Sequence, residues 1–154
     1  LGSEVVRAFR RFTQTDRSAL EAGGVLIGRH IVGTNDVVAD LATTPTPGDR
    51  RRRTSFYRSS LHQEAMDEIW AESRGTLVYL GEWHTHPEPR PSPSSIDLRD
   101  WSRRLKNDVV EAQFAFFVIV GNAQTAVWEG NRLTFEILRL VASANDQHED
   151  SSNE

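Results

Sequence analysis

The chain has no cysteine and only one methionine among its 154 residues. Without cysteine there is no disulfide, no thiolate ligand and no cysteine nucleophile, so any metal must be held by nitrogen or oxygen. An excess of positive charge is also missing. The formal net charge is -4 and the pI about 5.7, which counts against nucleic acid as the main partner. Long apolar runs are absent as well. The longest, "FAFFVIV" at 114–120, is far too short to span a bilayer. The opening "LGSEVVRAFRRF" lacks the apolar stretch of a signal peptide. Together these absences predict a soluble, cytoplasmic protein with neither a nucleic-acid nor a membrane partner.

At 17.4 kDa the chain is long enough for one compact domain with a substantial core. That domain is expected over residues 1–141, and the acidic "ASANDQHEDSSNE" over 142–154 is expected to be a disordered tail. Val5, Phe9 and Phe12 recur at helical spacing. Strands are expected from Val25 to Ile31 and from Val37 to Ala42, around a Gly-Thr-Asn-Asp turn. The segment Pro45–Arg53 reads as a loop. "SLHQEAMDEIWAES" reads as an amphipathic helix with Leu61, Ala65, Ile69 and Ala71 inward, stopped near Gly75. "TLVYLGEWHTH" is a buried strand entering a proline-rich loop, and a second helix begins near Ser94. "QFAFFVIVG" is a central strand, and "TAVWEG" pairs with "RLTFEILRLV" through a turn at Gly130-Asn131. Mixed helices and strands of this kind indicate an α+β or three-layer domain around a central sheet.

Within "GEWHTHPEPRPSPSSID" at 81–97, His84 and His86 lie two apart on a strand. Both imidazoles therefore leave the sheet on one face, with Trp83 and Thr85 on the other. Pro87, Pro89, Pro91 and Pro93 stiffen the chain that follows. Ser94 and Asp97 have the spacing of a capping box, a serine N-cap with an acid at the third helical position. A helix start held beside the histidines would also offer Asp97 as a third ligand. Two histidines and one carboxylate leave one tetrahedral position open, the pattern of a catalytic zinc. Other H-x-H patterns fit poorly. A metallo-β-lactamase-like run needs Asp and His where Glu88 and Pro89 stand, and a cupin needs a glutamate where Arg90 and Pro91 stand. Amidohydrolase barrels need a much longer chain.

Hydrolysis at such a site also needs a base. Glu82 shares the strand face of His84, and Glu21 stands just before "AGGVLIG" at a strand entrance. From pattern alone either carboxylate could serve.

Glu21 before "GGVLIG", then His84-Thr85-His86-Pro87, then Ser94-x-x-Asp97, resembles the JAMM (JAB/MPN-plus) metalloprotease family at matching spacing across roughly residues 4–141. The resemblance implies a cytidine-deaminase-like JAB/MPN fold, α+β, with a mostly antiparallel central sheet flanked by helices. It also implies zinc-dependent cleavage of peptide or isopeptide bonds at the C-terminus of ubiquitin-like modifiers, with one Zn2+ per chain. By position, His84, His86 and Asp97 correspond to the zinc ligands, Glu21 to the base and Ser94 to the oxyanion-stabilising serine. The longer phrase "YLGEWHTHPEPRPSPSSIDLRDW" is similar to the stand-alone JAB peptidases of bacterial CBASS anti-phage operons. There the protein substrate is a conjugate made through the C-terminus of a CD-NTase, and a fused ubiquitin-activating and ubiquitin-conjugating enzyme is a partner. Two contrasting readings are a non-catalytic modifier-binding module and a peptidase maturing a ubiquitin-like or sulfur-carrier precursor.

The remaining features carry less. The run Arg50–Arg53 is either a solvated loop or a support for an acidic tail beside the cleft. Trp70, Trp83, Trp101 and Trp128 are expected in the core. His30, His62 and His148 are expected to be surface or satisfied polar residues.

Overall fold

A computed structural model describes residues 1–108 and 112–142. The tail expected from residue 142 lies outside these residues, save for residue 142 itself, as does His148. The chain opens with α1 (Ser3–Phe12), whose buried residues are Val5 and Phe9. Next come β1 (Gly23–His30), β2 (Val37–Ala42), β3 (Arg50–Arg52), β4 (Ser55–Tyr57) and α2 (Leu61–Glu72). The second half contains β5 (Val78–Thr85), α3 (Ser95–Asn107), β6 (Phe114–Val120), β7 (Thr125–Asn131) and β8 (Ile137–Arg139). Six strands form one sheet in the order β2-β1-β5-β6-β7-β8, and β3 and β4 form a separate hairpin. Among the described residues only the β5–β6 pair in the large sheet is parallel. α3 makes the crossover that parallel strands require.

Strand alternation divides the core into two layers. Leu26, Leu80, Trp83, Val118 and Val120 pack with Val5 and Phe9 of α1 on one face. On the other face, Val25 and Ile27 pack under Met66 of α2, and Phe117 and Ile119 pack under Trp101 and Leu105 of α3. The result is an α/β/α sandwich, the α+β class expected from the sequence. No helix among the described residues is long and apolar enough to cross a membrane.

Four local expectations need correction. The segment Pro45–Arg53 contains β3, paired to β4 from Arg50↔Tyr57 to Arg52↔Ser55; three arginines do not read as a strand because this hairpin packs only one side. In α2 Ile69 packs against the core as expected and Ala65 is half-buried, but Leu61 and Ala71 are exposed; the fully buried positions are His62 and Met66, the histidine being hydrogen-bonded on both ring nitrogens. Trp70 is 55% exposed, unlike the other three tryptophans. Gly130 lies inside β7, paired with Ala115 and Ile137, and the chain reverses after Asn131. A Cβ at Gly130 would come within 2.8 Å of the Leu105 side chain, so this glycine serves helix–sheet packing.

One irregularity in β5 decides which face Leu80 takes relative to Trp83. Gly81 has φ +154, and the β1–β5 register shifts beside it, with Leu26 opposite Gly81 but Ile27 opposite Tyr79. This bulge puts Leu80 and Trp83 on the α1 face while Glu82 and His84 face the α2/α3 side. A Cβ at Gly81 would lie 1.7 Å from the Phe116 carbonyl oxygen. Gly81→Ala is therefore expected to cost at least the ~1–3 kcal/mol of a strained backbone position, read as a lower urea midpoint. A midpoint equal to that of the parent would show that the bulge does not depend on glycine.

Candidate active site

The site lies on the face covered by α2 and α3, where β5 runs out into the proline-rich loop. His84 and His86 project from the end of β5 and just beyond it, and Asp97 comes from the first turn of α3. Their ligating atoms form a tight triangle. His84 Nε2 and His86 Nε2 are 3.0 Å apart, His84 Nε2 is 3.2 Å from Asp97 Oδ1, and His86 Nε2 is 3.3 Å from Asp97 Oδ2. Ligands at 2.0–2.1 Å on a tetrahedral zinc would be about 3.3 Å apart, so the three atoms are already near ligand spacing. Among the described residues this is the one group of at least three His, Cys, Asp or Glu side chains close enough to share an ion. Lone pairs from two imidazoles and a carboxylate face one another here, and only a cation or shared protons can lie between them. The donor set fits zinc.

The α3 start that carries Asp97 is a complete capping box. Ser94 Oγ accepts from Asp97 N at 3.1 Å, and Asp97 Oδ2 accepts from Ser94 N at 2.7 Å and from Ser94 Oγ at 2.8 Å. Burial works to raise the Asp97 pKa, yet the hydrogen bonds from His84, His86 and Ser94 hold it well below the usual carboxylate range. His86 shows the complementary shift. Burial lowers its pKa, but Asp97, Glu21 and Glu88 outweigh burial and raise it. Its Nδ1 is buried without a hydrogen-bond partner, the nearest carboxylate being Glu88 at 3.8 Å.

The two competing glutamates occupy different environments. Glu21 is 4% exposed, and its Oε1 lies 4.0 Å from His86 Nε2. Burial, aided by the negative charges of Asp97 and Glu88 and opposed by His86, pushes its pKa up to about 8. A positive charge at the triad acts in the opposite direction. Glu82 does face the cleft with His84, but its carboxylate is held by Arg58 and Arg104.

Glu21 is held through its main chain from two sides. β1 pairs with β5 so that Gly23 is opposite His84 and Gly24 opposite Trp83. A Cβ at Gly23 would be 2.6 Å from the Trp83 carbonyl oxygen, and one at Gly24 2.2 Å from the Thr43 carbonyl oxygen. Both glycines are thus needed for close approach. One residue earlier, Thr85 N donates to the Ala22 carbonyl at 2.8 Å, and Ala22 N donates to Thr85 Oγ1 at 3.0 Å. From the hairpin side, Glu21 N donates to the Arg52 carbonyl at 2.8 Å, and Arg51 Nε donates to the Glu21 carbonyl at 2.7 Å. The arginine run is therefore divided. Arg51 and Arg53 hold main-chain carbonyls before β1, while Arg50 stacks over Tyr57 at the cleft wall.

Three supports gave no motif in the sequence. Gln14, 2% exposed, receives a bond from Thr85 Oγ1 and donates to the carbonyls of Ala19 and Arg53. His62 bridges Thr43 at 2.6 Å and Asp49 at 2.9 Å, which makes it the satisfied polar residue expected. Asp49 also accepts from Thr46 and Ser59; although burial works against it, these bonds hold its pKa below the usual carboxylate range. That buried knot ties the loop before the hairpin to α2. Arg104 shares a helix face with Asp97, seven residues earlier, and helical spacing could have found it. The whole cleft is about 380 Å³ and runs between β4 and α3, from Glu21 and the triad to Glu82.

Residues 2–135 match the family described as prokaryotic homologs of the JAB domain. The chain is 35% identical to the CD-NTase/cGAS isopeptidase of Escherichia coli (strain TW11681), over 90% of this chain and 84% of that protein. It is 41% identical to the CD-NTase/cGAS isopeptidase of Vibrio cholerae serotype O1, over 90% of this chain and 86% of that protein. A solved protein from Desulfitobacterium hafniense shares the fold, with a TM-score of 0.51 and 16% identity over 89% of this chain and 85% of that one.

Thr85, between the two histidines, is 0% exposed, and its hydroxyl joins β5 to the strand entrance after Glu21. Thr85→Val keeps the shape but strands Ala22 N–H and Gln14 Oε1. It should lower unfolding free energy by roughly 1–3 kcal/mol, measured by urea titration. An unchanged free energy would mean that the hydroxyl does not hold this junction.

Proposed function

Because the chain belongs to the prokaryotic JAB family, we propose that it is a zinc-dependent isopeptidase. Its substrate is a conjugate in which the C-terminus of a CD-NTase/cGAS-type protein is joined to an amine by a ubiquitin-like activating and conjugating enzyme. The observation that carries this reading is the convergence of two imidazoles and a carboxylate at ligand spacing, with a buried glutamate beside them. The CD-NTase/cGAS isopeptidases at 35% and 41% identity support the substrate class.

His84, His86 and Asp97 would hold the metal. Zinc, when bound there, supplies a Lewis acid for the carbonyl and lowers the pKa of water toward neutrality. Glu21 accepts the proton of the attacking water as its oxygen bonds to the scissile carbonyl carbon. A buried carboxylate 4.0 Å from a ligand nitrogen can reach such a water without being a ligand itself. Ser94 donates a hydrogen bond to the oxyanion that forms. The C–N bond then breaks, and Glu21 returns the proton to the departing amine. The bond that Ser94 Oγ accepts from Asp97 N holds its oxygen in place, while its one hydroxyl proton, donated to Asp97 Oδ2 in the structure, would turn to the oxyanion.

The test is metal content combined with release of the CD-NTase from a purified conjugate. About one zinc per chain is expected, and His86→Ala should lose metal and turnover together. Glu21→Ala should keep its zinc and fold while turnover falls roughly 10²–10⁴-fold. Glu82→Ala should be impaired less. Full turnover by Glu21→Ala, with Glu82→Ala inactive, would transfer the base to Glu82. Tight zinc with no release by the parent protein would favour a binding module.

Ser94 has two separable roles. Ser94→Ala should lose roughly 1 kcal/mol of stability from the cap. It should also lose roughly 2.7–4 kcal/mol of transition-state stabilisation, read from kcat per folded molecule. A fall in melting temperature with unchanged kcat would leave Ser94 as a cap only.

A further inference from the structure

The cleft does not end at the triad. Two residues back along β5, on the same face as His84, Glu82 lies between Arg58, just after β4, and Arg104, on α3. Both guanidinium groups are paired to the same oxygen, Glu82 Oε2. Arg104 Nε sits 2.8 Å from that oxygen but makes no aligned hydrogen bond. Its other acid, Asp108, is 3.9 Å away. Two cations thus share one carboxylate oxygen, with only the more distant Asp108 to balance the second. The remaining carboxylates on the walls, Glu21, Glu88 and Asp97, cluster around His86 at the triad end of the cleft. Arg103 is paired with Asp100 at 2.8 Å, and Arg50 adds a further positive charge at the wall. Arg58 and Arg104 retain 20% and 25% side-chain exposure, directed into the cleft that they line. Guanidinium groups with spare N–H donors in a partly desolvated trough are suited to a planar carboxylate.

We propose that Arg58 and Arg104 form a subsite for an acidic side chain on the substrate tail that precedes the scissile bond. The identity of that tail rests on the isopeptidase reading. Residues on one strand rise ~3.3 Å each, so the subsite is about two residues from His84. An extended tail can lie in a trough walled by β4 and α3 and reach both places. The amine side of an isopeptide bond is a side chain branching from its own main chain, so the tail is the side that can lie extended along the trough. The subsite therefore selects tails with Asp or Glu two or three residues before the new C-terminus. Glu82 aligns the two arginines and also competes with the incoming carboxylate.

Binding of product-like peptides tests this without any cleavage step. Short N-terminally fluorescein-labelled peptides with a free C-terminus would carry Asp, Ala or Lys second or third from that end. Their affinity for the zinc-loaded full chain is read by anisotropy. At one of those positions Asp should bind at least about tenfold tighter than Lys, the effect of charge-assisted hydrogen bonds. Arg104→Ala should remove most of the preference, with Arg58→Ala as the second variant in case the first does not fold. Glu82→Gln should enlarge the preference, because it removes the competing charge; a purely structural cluster would not do this. Equal affinity for Asp and Lys peptides, no binding by any peptide, or a preference unchanged in all three variants would overturn the subsite. Failure of the isopeptidase reading would appear separately, as unreleased conjugate alongside an intact charge preference.

Discussion

The register between β1 and β5 is the constraint on which the site depends. With Gly23 opposite His84 and Gly24 opposite Trp83, the residue two before Gly23 arrives beside His86. A slip of one residue would turn every side chain of β1 to the wrong face and carry Glu21 away from the triad. Several independent features hold the register. The two glycines allow backbones and the Thr43 carbonyl to approach where any Cβ would collide. Thr85 grips Ala22 through both its main chain and its hydroxyl, and the β3–β4 hairpin holds Glu21 from the opposite side. The hydrophobic layer beneath, with Leu26, Leu80 and Trp83 packed against α1, supplies a rigid floor.

Burial then sets the electrostatics. Glu21 is raised because it loses water faster than it gains positive partners. Asp97 is lowered because two imidazoles and a helix start supply what burial removes. Neighbouring carboxylates with pKa values driven apart can take different roles, one as ligand and one as proton acceptor. Strand alternation carries the same cleft face from His84 back to Glu82, and the bulge at Gly81 ends it there by turning Leu80 to the α1 face, so the row of polar groups on β5 continues from the triad to the arginine pair.

Much of this was legible in the sequence because the signals were short-range. The H-x-H spacing follows from strand alternation, the Ser94–Asp97 spacing from capping geometry, and the strands of the sheet from their apolar runs. The position of Glu21 was legible only through the family pattern; its local cue was the glycine pair, and the structure places those glycines in close approach to Trp83 and Thr43. What escaped was set by tertiary contact. The hairpin strand Arg50–Arg52 has no apolar alternation, and it is held by its pairing with β4 and by bonds to the main chain of Glu21. The inward face of α2 turned on a buried histidine that periodicity counts as polar. Trp70 was expected in the core by size alone and lies 55% exposed. Gly130-Asn131 looked like a turn, whereas Gly130 makes room for Leu105.

X-ray absorption at the zinc edge on the loaded protein tests the central claim most directly, because it reads the ligand set independently of any substrate. Two imidazole nitrogens and carboxylate or water oxygens at ~2.0–2.2 Å, four-coordinate, are expected. The His86→Ala protein, if it takes up zinc at all, should show one imidazole fewer. A first shell without imidazole scattering, or one left unchanged by His86→Ala, would contradict the assignment of the triad and the mechanism built on it.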